Sequence, residues 1–263
     1  MADRYNHGHH ESVLRSHRWR TAENSAAHLL PVLEHGQRIL DVGCGPGTIT
    51  ADLAERVAPG AVLGLDASEA VLAQARAEFD VSNLEFIAGD VYDLSFDDEF
   101  FDVVHAHQVL QHLTDPVGAL REMRRVLRPG GYLAVRDSDY PAFVWAPRDP
   151  RLDAWMQLYL DVTRANRTTP DAGRYLPGWV RSAGFSDVAT TSSTWTFSSE
   201  KDRLWWGGLW ADRIIESDFA HQALEFGFAS SSDLEQIAQG FRSWAVDANG
   251  IFVIVHVEVL ARR

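Results

Sequence analysis

The sequence predicts an α/β fold in which a mostly parallel sheet carries helices on both faces. From residue 37 to about residue 137, short β-type runs alternate with helical stretches, and the connecting loops are short. This alternation is typical of βαβ units, whose crossovers place consecutive strands parallel to each other. The length of 263 residues, 46% of them apolar, suits one such domain with additions.

The individual elements follow from hydrophobic periodicity and from the turn residues that flank each run. The predicted strands are 38–42, 61–66, 84–88, 101–106, 132–137, 188–197 and 251–260. The predicted helices are 48–57, 69–79, 116–127, 149–164, 176–183 and a long tryptophan-rich stretch from 201 to about 246. Because the final apolar strand has to return to the sheet, we interpret the last helical stretch as an insertion and not as a separate domain.

Composition narrows the class of function. Twenty-four Lys and Arg against 37 Asp and Glu give a net charge of −13, which argues against a nucleic acid as the main partner. We expect neither a membrane span nor a signal peptide, since no apolar run approaches the roughly 18 residues that a span needs. The single cysteine, Cys44, excludes an intrachain disulfide and a cysteine zinc cluster. A cytoplasmic protein that acts on a small molecule is therefore expected, as a monomer or a homodimer.

Three glycines, Gly43, Gly45 and Gly47, stand where the first strand turns into a helix. Glycine there allows positive φ and a close approach of the backbone to a ligand. The spacing Gly-x-Gly-x-Gly differs from the Gly-x-Gly-x-x-Gly of dinucleotide sites, because position 48 is Thr48. Asp41 precedes the loop, and its carboxylate would repel a pyrophosphate but suit an ammonium or sulfonium group.

Two further acids follow the next two strands. Asp66 ends the second strand about 20 residues beyond the loop, where a carboxylate accepts hydrogen bonds from a ribose diol. The alternative is that Asp66 caps the following helix, although Ser68 is also suited to that role. Asp90 follows the third strand and is suited to an exocyclic adenine amine, or is a simple turn residue. Three acids around an adenosine without phosphate fit S-adenosylmethionine, which carries a positive amine and sulfonium.

Four segments together resemble the class I S-adenosylmethionine-dependent methyltransferases, in particular the ubiquinone- and menaquinone-biosynthesis branch. They are Ile39–Gly47, Gly64–Ser68, Gly89–Val91, and Phe101–Val104 through Arg128–Gly131, within about residues 37–138. The resemblance implies a Rossmann-like seven-stranded sheet of order 3-2-1-4-5-7-6, with strand 7 antiparallel, and S-adenosyl-L-methionine as cofactor. It implies cofactor contacts at the matching positions Asp41, Gly43, Gly45, Asp66, Ala67, Gly89, Asp90, Val91 and His107.

The N-terminal residues offer further candidates. A histidine cluster precedes a helix that has no partner acids at ligand spacing, so no metal site is predicted from it: His7, His9 and His10. The resemblance also implies an N-terminal helix that often closes over the cofactor, and the candidate lid contacts are then Tyr5, His9, His17 and Arg20. Arg20 is the strongest of these, because the cofactor's carboxylate needs a cation. The alternative is a surface arginine with a solvated head.

The ends of the fourth and fifth strands gather the candidates for a general base: His105, His107 and His112, with Asp137, Asp139 and Tyr140. His112 and Asp139 are the leading catalytic pair, positioned to accept the acceptor's proton. The alternatives are that His112 packs in the following helix and that Asp139 caps the next turn. Alignment of the acceptor alone is a further possibility, in which no base acts.

The tryptophans of the later half have two interpretations. Trp145, Trp155, Trp205, Trp206 and Trp210 either form the core of the insertions or line an aromatic pocket above the sulfonium. We predict one domain over residues 1–263, with a lid at 1–36, a cofactor-binding core at 37–138 and cap insertions at 139–170 and 200–247. The predicted function is methylation of oxygen, nitrogen or carbon in a small, largely apolar or aromatic metabolite. The alternative is a non-catalytic sensor or scaffold that binds S-adenosylmethionine or S-adenosylhomocysteine.

Overall fold

Five parallel strands carry the fold in the computed structural model, which describes residues 11–263. They are β1 (Ile39–Val42), β2 (Val62–Asp66), β3 (Leu84–Ala88), β4 (Phe101–His107) and β5 (Leu127–Ser138). Their order is β3-β2-β1-β4-β5, and Val42 is paired with Leu65 on one side and Ala106 on the other. The carboxyl ends of the first four strands therefore meet at one edge of the sheet.

Three later strands extend the sheet: β6 (Val144–Ala146), β7 (Asp187–Phe197) and β8 (Ile251–Arg262). β8 lies beside β5 and pairs with both β7 and β6. Backbone hydrogen bonds join Gly130 to Arg263 at one end and Asp139 to Val255 at the other, so β8 runs antiparallel to β5. The predicted order 3-2-1-4-5-7-6 is confirmed, with β8 and β7 as its seventh and sixth strands. β6 is an addition that the sequence did not predict, because three residues are too few to show a periodicity.

Ten α-helices occur within residues 11–263, and the predicted ones begin and end within about a residue of their expected bounds. They are α1 (Glu11–Arg18), α2 (Ala22–Ser25), α3 (Thr48–Val57), α4 (Glu69–Glu78), α5 (Pro116–Val126), α6 (Pro150–Ala165), α7 (Leu176–Ser182), α8 (Glu200–Glu216), α9 (Asp218–Glu225) and α10 (Ser231–Val246). The long stretch from 201 to 246 is divided into α8, α9 and α10. Ser230 and Asp233 form a capping box that starts α10. Within the described residues, no helix has the length and apolar character that crossing a membrane requires.

The chain divides into two compact units. The sheet unit contains His17–Asp137, Ala172–Ser193 and His256–Arg263; the helical unit contains Ser138–Asp171, Thr194–Val255 and the described residues before His17. In the sheet unit, α3 packs on Ile39 and Val103 while α5 packs on the opposite-facing Leu40 and Val104, so helices cover both faces. The division into lid, core and cap stays a prediction.

An aromatic cluster fills the helical unit. Trp155 and Trp210 meet edge to face with ring centroids 4.7 Å apart, and Trp210 stacks on Phe241 at 5.8 Å. Trp206 stacks on Phe197 at 4.5 Å, and all of these rings are buried. The tryptophans thus form the unit's own hydrophobic core, which is the first of the two interpretations given above.

Candidate cofactor-binding site

The loop after β1 has the backbone conformation that its glycines allow. Gly43 and Gly45 have φ values of +67° and +56°, in the left-handed region that side chains disfavour. The N–H groups of Gly43 and Cys44 donate to the carbonyl of Leu65, which holds the loop against β2. A Cβ atom at Gly43 would lie 2.4 Å from a methyl carbon of Val109, so the loop packs closely on the segment that follows β4.

Gly45 is surrounded differently. Of the described atoms outside the loop, only the His17 ring comes within 4 Å of a Cβ atom built at Gly45, at 3.7 Å. The described residues therefore leave room for a ligand to approach this part of the backbone. The end of α1 lies here, because the Thr48 hydroxyl donates to the His17 carbonyl over 3.3 Å. Tyr5, His7, His9 and His10 lie outside the described residues.

Asp66 connects the glycine loop with the start of α4. Its Oδ2 accepts from the N–H of Gly45 at 3.0 Å, and its Oδ1 accepts from the N–H of Ser68 at 2.9 Å. Ser68 occupies the cap position of α4 but makes no side-chain cap hydrogen bond. Asp66 is half-buried, and each of its oxygens keeps lone-pair capacity for a ribose hydroxyl.

The residues after β3 lie beside Asp66. Asp66 pairs with Ala88, and the N–H of Gly89 donates to the carbonyl of Asp66. Val91 is buried, whereas Asp90 and Ala67 are exposed at the same edge. Asp90 also has the turn role considered above, because its Oδ1 accepts from the N–H of Tyr92 at 2.9 Å.

Asp41 is buried and engaged on both oxygens. Its Oδ1 lies 2.7 Å from Nδ1 of His105, and its Oδ2 accepts from the hydroxyl of Thr50 at 2.6 Å. These contacts tie β1 to β4 and α3, so a direct contact of Asp41 with the cofactor's amine stays a prediction. Burial raises the pKa of the neighbouring Cys44 thiol, so this side chain stays protonated. Because the thiolate is the nucleophilic form of cysteine, Cys44 is a packed side chain and not a nucleophile.

Arg20 lies at the end of β4. Its Nη2 donates to Oε1 of Gln108 over 2.7 Å, and the side chain is half-buried. His107 is buried, and its pKa is well below the ordinary value because of burial first and the positive charges of Arg20 and Arg136 second. The structure thus brings together Arg20, His107 and the glycine loop, which are distant from each other along the chain.

The catalytic candidates fall in different units. His112 lies in the sheet unit with a pKa of about 3, lowered by burial and then by the charge of Arg20. Asp139 belongs to the helical unit, where it is buried and donates its backbone N–H to the carbonyl of Val255. It precedes a single helical turn, Tyr140–Ala142, without a side-chain cap hydrogen bond, so capping does not account for it.

Asp137 is a site residue that the sequence grouped with the others but did not select. It is fully buried at the end of β5, and burial raises its pKa to about 8. Its Oδ1 accepts from the N–H of Gln111 at 3.2 Å, while no hydrogen bond from the described residues reaches Oδ2. The carboxyl group therefore holds its proton at neutral pH. Its position after an apolar strand was visible in the sequence, but its complete burial was not.

The arrangement fits S-adenosylmethionine. The open backbone at Gly45, the carboxylates of Asp66 and Asp90, and the cation of Arg20 supply groups for the backbone, ribose, adenine and carboxylate contacts that this molecule needs. When bound, S-adenosylmethionine supplies a methyl group on a positively charged sulfur. The protein's part is to hold it, exclude water and align the acceptor.

Comparisons with known proteins agree with this assignment. A sequence profile described as a methyltransferase domain matches residues 40–135. An uncharacterized methyltransferase of Schizosaccharomyces pombe is 32% identical over 271 residues, covering 98% of this chain and 96% of that protein. A demethylmenaquinone methyltransferase of Listeria monocytogenes is 37% identical over 131 residues, covering 48% of this chain and 52% of that one.

One solved structure shows the same fold with the demethylated cofactor. It is a phosphoethanolamine N-methyltransferase of Haemonchus contortus in complex with S-adenosylhomocysteine, with a TM-score of 0.53 and 16% identity. The alignment covers 88% of this chain and 49% of that one. At this identity the structure shows the fold alone. The methyltransferase-domain profile and the Schizosaccharomyces pombe relative, with the motifs in register, confirm the predicted resemblance and its cofactor: this chain belongs to the class I S-adenosylmethionine-dependent methyltransferases.

Proposed function

We propose that the enzyme methylates oxygen, nitrogen or carbon of a small, largely apolar or aromatic metabolite. The observation that carries this proposal is the uncharged state of three buried groups at the ends of β4 and β5. At neutral pH the imidazoles of His107 and His112 are unprotonated and the carboxyl of Asp137 is protonated, in each case chiefly through burial. Neutral polar groups suit an uncharged acceptor better than a phosphate or a cation.

The acidic composition supports a small acceptor. A net charge of −13 opposes the approach of RNA or DNA, because phosphate binding requires a basic face. The cytoplasmic location expected from the sequence stays a prediction, as does the choice between monomer and homodimer.

For the proton of the acceptor, we propose Asp139 as the general base, and His112 is the second, weaker candidate for the same role. An imidazole with a pKa of about 3 has little tendency to accept a proton at neutral pH. Asp139 follows Asp137 by two positions and is buried immediately after β5. An acceptor that carries no ionisable proton would require alignment alone.

The test is a screen of small metabolites. The wild-type enzyme is incubated with isotopically methyl-labelled S-adenosylmethionine and a metabolite extract, and labelled products are identified by mass spectrometry. Asp66→Ala should lower the signal at limiting cofactor about tenfold or more, whereas the matched control Asp97→Ala changes an exposed loop carboxylate and should retain it.

Two results would contradict the proposal. Label that enters only the protein or RNA fraction would identify a macromolecular acceptor. Cofactor binding by calorimetry without any labelled product, across extracts of different polarity, would favour the sensor or scaffold.

A further inference from the structure

Two polar side chains lie in the interior of the sheet unit, where apolar side chains are usual. Asp41 on β1 and His105 on β4 are direct partners in the parallel register. Each stands two positions beyond an apolar residue that α3 covers, Ile39 and Val103, and so points to the same face of the sheet. Asp41 is 3% exposed and His105 is completely buried. Burying polar groups costs free energy unless they are hydrogen-bonded, so the pair needs a specific reason.

The two side chains are hydrogen-bonded to each other. Nδ1 of His105 lies 2.7 Å from Oδ1 of Asp41. Because a carboxylate oxygen only accepts, Nδ1 carries a proton and donates it. The hydroxyl of Thr50 on α3 donates to the other oxygen, Oδ2, at 2.6 Å. Donors from two different elements, β4 and α3, therefore fix the direction of the Asp41 carboxylate.

The imidazole of His105 serves this contact alone among the described residues. Its second nitrogen, Nε2, is buried, and no hydrogen bond from residues 11–263 reaches it. Its hydrogen bond to Asp41 is thus the one that the ring makes within that part of the chain. Since buried positions of this kind are usually apolar, the polar character of residue 105 concerns Asp41.

Asp41 lies directly before the glycine loop. Val42 alone separates it from Gly43, whose N–H donates to the carbonyl of Leu65. Each carboxylate oxygen of Asp41 accepts one hydrogen bond from a described side chain and keeps capacity for another. An ammonium group that approached Asp41 would meet a carboxylate whose direction is already fixed.

The charge of a buried carboxyl group depends on its donors. Burial disfavours the ionised form, and each hydrogen bond donated to that form favours it. Within the described residues, the side chains that donate to Asp41 are those of His105 and Thr50. A carboxylate attracts a cation far more strongly than a neutral carboxyl does. Loss of the His105 donor should therefore weaken the attraction for a cation and leave the ribose and adenine contacts unchanged.

We propose that His105 is a positioning residue for the ammonium group of the bound cofactor. It donates from Nδ1 to Asp41, holds the direction of that carboxylate and favours its charged form, while Thr50 supports the second oxygen. The family resemblance implies the contact between Asp41 and the ammonium; its dependence on an imidazole follows from the contacts of this chain. The proposal rests on the cofactor assignment and is independent of the methyl acceptor.

The test compares two substitutions and two ligands. His105→Leu removes the donor, whereas His105→Asn keeps an N–H donor near the position of Nδ1. The ligands are S-adenosylhomocysteine and its deaminated analogue, in which a hydrogen atom replaces the amine. In titration calorimetry, His105→Leu should weaken S-adenosylhomocysteine about tenfold or more and the analogue less than about twofold. His105→Asn should bind S-adenosylhomocysteine within about threefold of wild type.

His35→Leu is the matched control. His35 is exposed, belongs to the same unit, and has its Nδ1 2.8 Å from the carbonyl of Ala58, just beyond the far end of α3. Its substitution removes the same ring away from the glycine loop and should alter neither affinity. If His105→Leu does not fold, Thr50→Val removes the other donor with little change of shape. That variant should weaken S-adenosylhomocysteine about threefold or more and leave the analogue unchanged.

Equal losses for both ligands in His105→Leu would show a merely structural role and overturn the proposal, as would unchanged affinity for S-adenosylhomocysteine. A loss in His105→Asn as large as that in His105→Leu would overturn the role of the N–H donor. Equal binding of both ligands by the wild type would remove the ammonium contact of Asp41, and the proposal with it. Failure of the wild type to bind either ligand would overturn the cofactor assignment itself, which separates the two conclusions.

Discussion

Replacing Asp66 by alanine tests the cofactor site most directly. In the structure its two oxygens already accept from Gly45 and Ser68, at 3.0 and 2.9 Å, and retain lone pairs for the ribose hydroxyls. A hydrogen bond to a charged group contributes about 1.5–3 kcal/mol. Since about 1.4 kcal/mol corresponds to a factor of ten, Asp66→Ala should weaken S-adenosylhomocysteine about 10- to 150-fold.

If Asp66 binds one ribose hydroxyl, we expect a loss of affinity in the lower part of that range. Asp66 is only half-buried, so water competes with the ribose for its carboxylate. Loss of the carboxylate also leaves the N–H of Gly45 without its acceptor, which loosens the glycine loop and adds to the effect. Titration calorimetry of the variant, with Asp97→Ala as the exposed control, measures the sum of these contributions.

A second ligand separates ribose recognition from a general loss of structure. 5′-Methylthioadenosine shares the ribose but lacks the amine and carboxylate, so Asp66→Ala should weaken it by a similar factor. Unchanged affinity for both ligands would show that Asp66 is not the ribose ligand. A loss confined to S-adenosylhomocysteine would assign Asp66 to the amino-acid end of the cofactor.

Three further results are expected. Burial raises the pKa of Asp137 to about 8, so between about pH 4 and pH 8 the folded protein holds a proton that the unfolded chain has released. The free energy of unfolding is therefore highest below about pH 4, as far as this group is concerned, and falls as the pH rises to about 8. Asp137→Asn should therefore raise the unfolding midpoint more at about pH 7.5 than at about pH 4.5, and equal shifts at both pH values would contradict the burial argument. Asp139→Ala should lower turnover about 10²–10⁴-fold and His112→Ala less, with S-adenosylhomocysteine affinity nearly constant in both; two fully active variants would leave alignment as the mechanism. S-Adenosylhomocysteine should slow tryptic cleavage after Arg18 and Arg20, followed by mass spectrometry, and equal rates with and without it would count against a lid.

The strands and helices of the sheet unit were predictable because each leaves a local pattern. The apolar runs of β1 to β5 and the caps of α3 and α5 lie within a few residues of the segments that they define. The division of the later helical stretch was not predicted, because Ser217 interrupts it for one residue without glycine or proline. The second break did leave signals in the sequence: Gly227, with a φ of +70°, follows α9, and the capping box at Ser230 starts α10.

The cofactor residues were predictable for the same reason, since the glycine loop, Asp66 and Asp90 each stand directly after a strand. The environment of Arg20 could not be predicted from the sequence. Its neighbour Gln108 is 88 residues away, and His256 lies 148 residues beyond Gln108. The final strand has the appearance of a continuous apolar run, yet its inward positions include His256 and Glu258.

Those inward polar residues exist because β5 places a charged side chain in the sheet unit's interior. Arg136 is completely buried, and a buried guanidinium requires acceptors on several sides. Glu258 supplies one at 3.1 Å, the hydroxyl of Ser193 another at 3.0 Å, and Nδ1 of His256 a third. The third contact fixes which nitrogen of His256 carries the proton, because a guanidinium only donates. One buried charge on β5 thus accounts for polar side chains on both β7 and β8.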